Sequence, residues 1–189
     1  MNNIYCIRHG YSLHNKLGKQ YGEQAYLMPE CNNSYLLQDG IDQTKKLRKD
    51  SLEILKRVDI VLVSSLTRTL ETADILFKNL DKKIVVLDIL KEFPNGLETP
   101  NKRLTKSNLK IKFPHFDFST LQCEDDFTWI PERYETKEEL NYRINLFKRY
   151  LNTFKYQNIF IVGHSDFTSQ LLYGEIKELN YCYLYHYKK

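Results

Sequence analysis

Ile4-Tyr5-Cys6-Ile7-Arg8-His9-Gly10-Tyr11-Ser12-Leu13-His14-Asn15 is the stretch from which the rest of the chain is read. A short apolar run stops abruptly at Arg8-His9-Gly10. The run reads as a buried strand and Gly10 as the sharp turn after it. An arginine and a histidine then stand at the carboxyl end of a strand, where open α/β sheets bind ligands. On its own, Arg-His-Gly fits a plain strand end with a satisfied histidine better than a reactive site. Residues farther along the chain change that balance.

Three more runs read as buried strands: Asp59 to Val63, Lys83 to Leu87 and Asn158 to Val162. Helical patterns separate them. Ile41, Thr44, Leu47, Ile54 and Leu55 predict one amphipathic helix over residues 41–57. Leu66, Leu70, Ala73 and Phe77 predict another, which Ser64 and Ser65 are placed to cap. Thr136-Lys137-Glu138-Glu139 is a capping box opening a helix that carries Leu140, Ile144, Phe147, Leu151 and Phe154 on one face. A last helix runs from about Phe167 to Tyr173. Strands alternating with helices predict an α/β fold, a three-layer αβα arrangement with a mostly parallel central sheet. Right-handed crossovers would set the strand carboxyl ends along one rim.

Residues 16–38 are polar and turn-rich and read as a surface excursion. Residues 97–133 lack a clean period and contain Pro100, Pro114 and Pro131, as expected of a lid or binding loop. In the tail, Tyr181, Tyr183, Tyr185 and Tyr187 alternate with Cys182, Leu184 and His186, which predicts an edge strand with a tyrosine packing face. No repeat or linker divides the chain, so residues 1–189 are expected to form one domain.

The 189 residues are 42% hydrophobic and 28% charged, a globular composition. Apolar runs reach only about four residues, against roughly 20 for a bilayer span. The chain opens with no basic region and long apolar stretch, so no signal peptide is expected. The net charge of +4 comes without a basic block or motif for nucleic acid. The four cysteines are scattered with no Cys-x-x-Cys, which fits reduced thiols in an intracellular, cytoplasmic protein better than a zinc site or disulfides.

The residues just after each strand carry the chemistry. Arg8 and His9 follow the first, and Ser64, Ser65 and Arg68 the second. Glu92 follows the third, His164 and Ser165 the fourth. Two arginines, two histidines and a carboxylate would meet on one rim. Arg8-His9-Gly10-Tyr11-Ser12-Leu13-His14-Asn15, Ser64-Ser65-Leu66-Thr67-Arg68-Thr69-Leu70-Glu71-Thr72-Ala73, Leu90-Lys91-Glu92 and Gly163-His164 occur in the order that marks one family. The chain resembles the histidine phosphatase superfamily, the phosphoglycerate mutase-like fold. Leu37 to Leu47, with Gly40 and Gln43, resembles its first helix.

The resemblance implies a metal-independent phosphomonoesterase acting on a small phosphorylated substrate through a phosphohistidine on His9, with no cofactor. Arg8, Arg68 and His164 would surround the phosphoryl oxygens. Asn15, Ser12 and the Ser165 amide would add donors. Glu92 would protonate the leaving oxygen, with Asp166 as its rival. Lys102, Arg103 and Lys106 are candidates for a second anionic group of the substrate. Phe113, Phe116, Phe118 and Trp129 read as packing residues. His14, His115 and His186 read as ordinary core or surface histidines. Two alternatives stay open: a phosphoglycerate mutase-type transferase and a catalytically idle interaction module. Phe93-Pro94-Asn95-Gly96-Leu97 departs from the segment that mutases carry there. Oligomeric state is open.

Overall fold

The computed structural model describes residues 3–188. The four apolar runs are strands β1 (Asn3–Arg8), β2 (Ile60–Ser64), β3 (Lys83–Leu87) and β4 (Asn158–Gly163), joined by a fifth, β5 (Tyr185–Lys188). The sheet order is β3-β2-β4-β1-β5. The first four strands are mutually parallel, and β5 runs antiparallel to β1. Ile4 pairs with Ile159, and Ile159 with Ile60.

Period-2 alternation sends each strand's apolar residues to two separate cores. Ile4, Cys6, Ile60, Leu62, Ile159 and Ile161 pack under α6 (Lys137–Thr153) and α7 (Ser165–Tyr173). Ile7, Val61, Val63, Val86, Phe160 and Val162 face the other way. There they meet α2 (Gln38–Asp50), α3 (Leu52–Arg57), α4 (Thr67–Phe77) and α5 (Lys106–Lys112). The first helix, α1 (Leu13–Tyr21), follows the opening strand directly. The three-layer αβα arrangement is therefore present, with apolar side chains filling both faces. Among the described residues, no helix is long and apolar enough to cross a membrane.

Four local expectations change. The helix over 41–57 is broken at Ser51, which ends α2 and lets α3 turn to bury Leu55. Residues 16–38 are largely ordered as α1 and two short helical turns, Glu23–Leu27 and Pro29–Cys31, with Ala25, Cys31 and Ser34 buried. The tail is a strand only from Tyr185. Cys182 takes a left-handed φ of 48°, so the tyrosine alternation is interrupted and Tyr181 lies beside Arg8. Residues 97–133 hold a helix of their own, α5, pinned by buried Leu109.

The excursion also guards a sheet edge. Asp117 N–H donates to Ile84 O (2.8 Å) and Val86 N–H to Asp117 O (3.0 Å), so the outer edge of β3 is paired rather than open. Phe113, Phe116 and Phe118 sit in the core under it. Lys91 Nζ, fully buried, bonds both carboxylate oxygens of Asp126 at 2.7 Å. That ion pair ties the excursion to the turn after β3.

Candidate active site

Parallel strands put the ends of β1, β2 and β4 side by side, and the positions of the candidate residues derive from that register. Arg8 closes β1, and His9 N–H donates to Gly163 O at the end of β4 (3.0 Å). Arg68 lies in the first turn of α4, and His164 immediately precedes α7. The His9 and His164 ring centroids are 5.2 Å apart.

Gly10 is required by close approach. Its φ is not left-handed, but a Cβ there would stand 2.5 Å from Gly40 O, and one on Gly40 would stand 2.1 Å from Tyr11 O. Two glycines thus let α2 press against the backbone behind His9. Gln43 Oε1 accepts the Tyr11 N–H (3.0 Å) from the same helix.

His9 is oriented through both ring nitrogens. Nδ1 lies 2.7 Å from Gly10 O, and Nε2 accepts from Arg68 Nε–H at 3.2 Å. A carbonyl only accepts and a guanidinium only donates. The proton is therefore on Nδ1, and Nε2 keeps its lone pair. Burial first, then the Arg68 and Arg8 charges, holds the imidazole well below its usual pKa. His9 is 1% exposed.

The two arginines are anchored at their ends. Arg68 donates to Pro100 O (2.5 Å) and Asn101 Oδ1 (2.9 Å). Burial lowers it to about 10, so it stays charged at neutral pH. Arg8 donates to Leu179 O (2.7 Å) and the Tyr181 hydroxyl (3.0 Å), and its guanidinium stacks 3.8 Å from that ring. Its Nε is buried with no partner. His164 Nε2 lies 2.8 Å from Ser64 Oγ, while its Nδ1 is likewise buried and unpartnered. Buried polar atoms without partners are costly, typically about 1–3 kcal/mol each, and an anion seated among these residues would satisfy both. Burial and Arg68 also depress the His164 pKa, so the positive charge here comes from the arginines.

The strand-end serines do not cap α4. Ser64 holds His164, and Ser65 donates to Asp88. Leu66 occupies the capping position.

Glu92, in the turn after β3, reaches the start of α7 with its carboxylate. Its Oε1 accepts from the N–H groups of Phe93 (2.9 Å), Asp166 (3.1 Å) and Phe167 (3.1 Å), and its Oε2 only from Asp166 (3.3 Å). Burial, and secondly Glu92, push the Asp166 carboxyl up to about 7. Both line a cleft of about 690 Å³, together with Arg8, Asn15 and Ser165.

Two expected contacts sit elsewhere or serve otherwise, and a third, Ser165, lines the cleft. Ser12 is fully buried, its hydroxyl committed to Asn15 Oδ1 (2.7 Å) and His14 Nδ1 (2.8 Å), so it positions Asn15 without lining the cleft. Ser165 was expected to act through its amide, and its hydroxyl separately accepts from Leu179 N–H (2.9 Å), anchoring the segment that carries Tyr181. Arg103 is a correction: it is buried away from the cleft, and all its donors are used. They go to Asp88 and to the carbonyls of Leu104, Cys123, Glu124 and Asp125. It holds the excursion together. Lys106 Nζ likewise bonds Leu121 O, and Lys102 lies 4.9 Å over Trp129.

Five residues that the sequence left aside join the site. His14 is buried 5.7 Å from the His9 ring and accepts from Asn15 Nδ2 (3.0 Å). Tyr26, Glu98 and Asn101 line the cleft, and Tyr181 holds Arg8. Glu98 is pushed up to about 8 by burial, then by Glu92. Of the five, only His14 lay inside a motif. Of residues 97–133, only Glu98 and Asn101 reach the cleft wall, so the excursion is mostly structural.

Comparisons with known proteins agree with this fold. A family model for the histidine phosphatase superfamily (branch 1) matches residues 4–180. The chain is 30% identical to phosphoglycerate mutase-like protein 1 of Arabidopsis thaliana over 193 residues, covering 87% of this chain and 68% of that one. The fold matches an α-ribazole phosphatase from Shigella flexneri with a TM-score of 0.65 at 21% identity, over 97% and 89% of the two chains. It also matches a phosphoserine phosphatase from Entamoeba histolytica, solved with 3-phosphoglyceric acid, with a TM-score of 0.55 at 20% identity, over 98% and 90%.

Proposed function

The chain belongs to the histidine phosphatase superfamily, and within it we propose a metal-independent phosphomonoesterase that works through a phosphohistidine on His9. One observation carries the reading. The tautomer leaves the His9 Nε2 lone pair unprotonated and facing the Arg68 Nε–H, beside Arg8 Nε and His164 Nδ1, which have no protein partner.

In the first step, Nε2 attacks phosphorus while Arg8, Arg68 and His164 bind the non-bridging oxygens. The ester P–O bond breaks, and the leaving oxygen takes a proton. Asp166 titrates near 7 beside Glu92, so at neutral pH it carries a proton about half of the time. Glu92 Oε2, which accepts only a 3.3 Å bond, is the freer oxygen to pass it on. In the second step, water attacks phosphorus, the pair takes the proton back, and the P–N bond breaks to release phosphate. Asn15 adds a donor at the cleft wall. On this reading residues 1–189 work as one domain, with Glu98 and Asn101 as the substrate-side wall.

A mutase-type transferase is the second reading, favoured by the name of the Arabidopsis relative. A panel of phosphomonoesters separates the two. Wild type is expected to release phosphate undiminished by chelator, and His9→Ala to release none. Equal turnover by both proteins, or activity lost to chelator, contradicts the proposal. Isomerisation of phosphoglycerate faster than phosphate release selects the mutase.

A further inference from the structure

Away from its floor the cleft changes sign. Glu23, Glu92, Glu98 and Asp166 line it together with Glu178, which pairs with Arg8 at 3.4 Å, and the cations there are Arg8 and Lys177. Arg8 belongs to the phosphate pocket. Lys177 is already engaged, 3.5 Å over the Tyr173 ring and 3.3 Å from Glu175. Beyond the phosphate, an incoming substrate meets carboxylates and no free cation among the described residues. Resting on the phosphomonoesterase reading, we propose that the substrate carries a protonated amine on its alcohol side, and that Glu98 and Glu23 select it by charge.

The buried, unpartnered Arg8 Nε and His164 Nδ1 fix which end of the substrate lies at the floor. The leaving group then extends along the acidic wall. Glu98 is held there by Asn101 Nδ2, 3.0 Å from its Oε2. Its carboxyl stands near 8 and that of Asp166 near 7, because burial and neighbouring carboxylates resist a full set of negative charges. An ammonium group relieves that repulsion and a carboxylate adds to it. Tyr26, Phe93 and Tyr134 line the same cleft, and aromatic rings attract cations. The wall also opposes a second anionic group of the kind a phosphoglycerate brings.

Three esters of matched length test this: phosphoethanolamine, 2-hydroxyethyl phosphate and phosphoglycolate. Each is measured as a substrate of wild type and, by calorimetry, as a ligand of His9→Ala. Both series are expected to rank amine above neutral above carboxylate. The amine-to-carboxylate ratio should be about tenfold or more, the size expected for one or two charges at roughly 7 Å in an effective dielectric near 40. Glu23→Lys should reduce the ratio several-fold, a readout that a loss of folding alone does not move. A ratio of one or below in the calorimetric series overturns the charge selection, whether or not the esters turn over. Absence of turnover with the amine still bound best overturns the phosphatase reading and leaves the selection standing.

Discussion

The phosphate pocket and the excursion at residues 97–133 are built in opposite ways. The pocket is assembled from strand ends: Arg8, His9 and His164 take their places from parallel register, and Arg68 from the turn after β2. It leaves polar atoms unsatisfied. The excursion has little regular structure and closes on itself instead. Arg103 spends every donor within it and on Asp88, and Lys91 and Asp126 neutralise each other out of water. The pocket keeps free valence for a ligand, and the excursion keeps none. Substitutions in the first should therefore cost activity, and in the second stability.

The contrast can be broken in several places. His9→Ala should lower turnover by about 10⁴-fold or more while leaving the melting profile nearly unchanged, measured by phosphate release and thermal unfolding. If it unfolds the protein instead, the pocket is a structural element and the contrast is false. Next in size, Asp126→Leu leaves the Lys91 ammonium buried and unpaired. A loss of about 3–5 kcal/mol in urea unfolding is expected, much of it recovered in Lys91→Met/Asp126→Leu. A surface-like effect below about 1 kcal/mol would show that the ion pair does not hold the excursion.

Glu92→Gln preserves an oxygen for the α7 amides but removes the proton carrier, so about 10²-fold in kcat/KM should be lost. In wild type, kcat/KM should fall as pH rises through about 7, where Asp166 ionises. Asp166→Asn should displace that limb, and an unmoved limb assigns it to another group.

The smallest effect sharpens the boundary between the two regions, where Glu98 sits. Its folded pKa is raised from an ordinary 4.5 to about 8. The stability it supports is complete below pH 4.5 and is lost as pH rises through 8. Discounted for partial solvation of the group, the loss is on the order of 2 kcal/mol. Glu98→Gln cannot titrate, so its melting temperature should exceed wild type at about pH 9 and match it near pH 5. Parallel curves for the two proteins would show that the carboxyl is not under strain.

The same division governs what could be read from the sequence. Buried parallel strands write themselves as apolar runs, and the residues after each run inherit a common rim. Arg8, His9, Arg68, Glu92 and His164 were visible on those grounds. Glu98 was not, because it reaches the cleft through an irregular turn whose path depends on Gly96 and Leu97 meeting residues 130–133. Arg103 misled for a related reason. A basic residue in a polar, aperiodic stretch looks like a solvated cation, and nothing local reveals that four carbonyls and a carboxylate will surround it. Tyr181 was masked by the tail's alternation, which the left-handed Cys182 breaks.

Rapid acid-free quenching of wild type with a radiolabelled phosphomonoester, followed by peptide mapping, tests the central claim most directly. Label on the peptide containing His9, stable to base and lost in acid, is the expected result. Turnover with no labelled protein, or label on a residue outside the pocket, would contradict it.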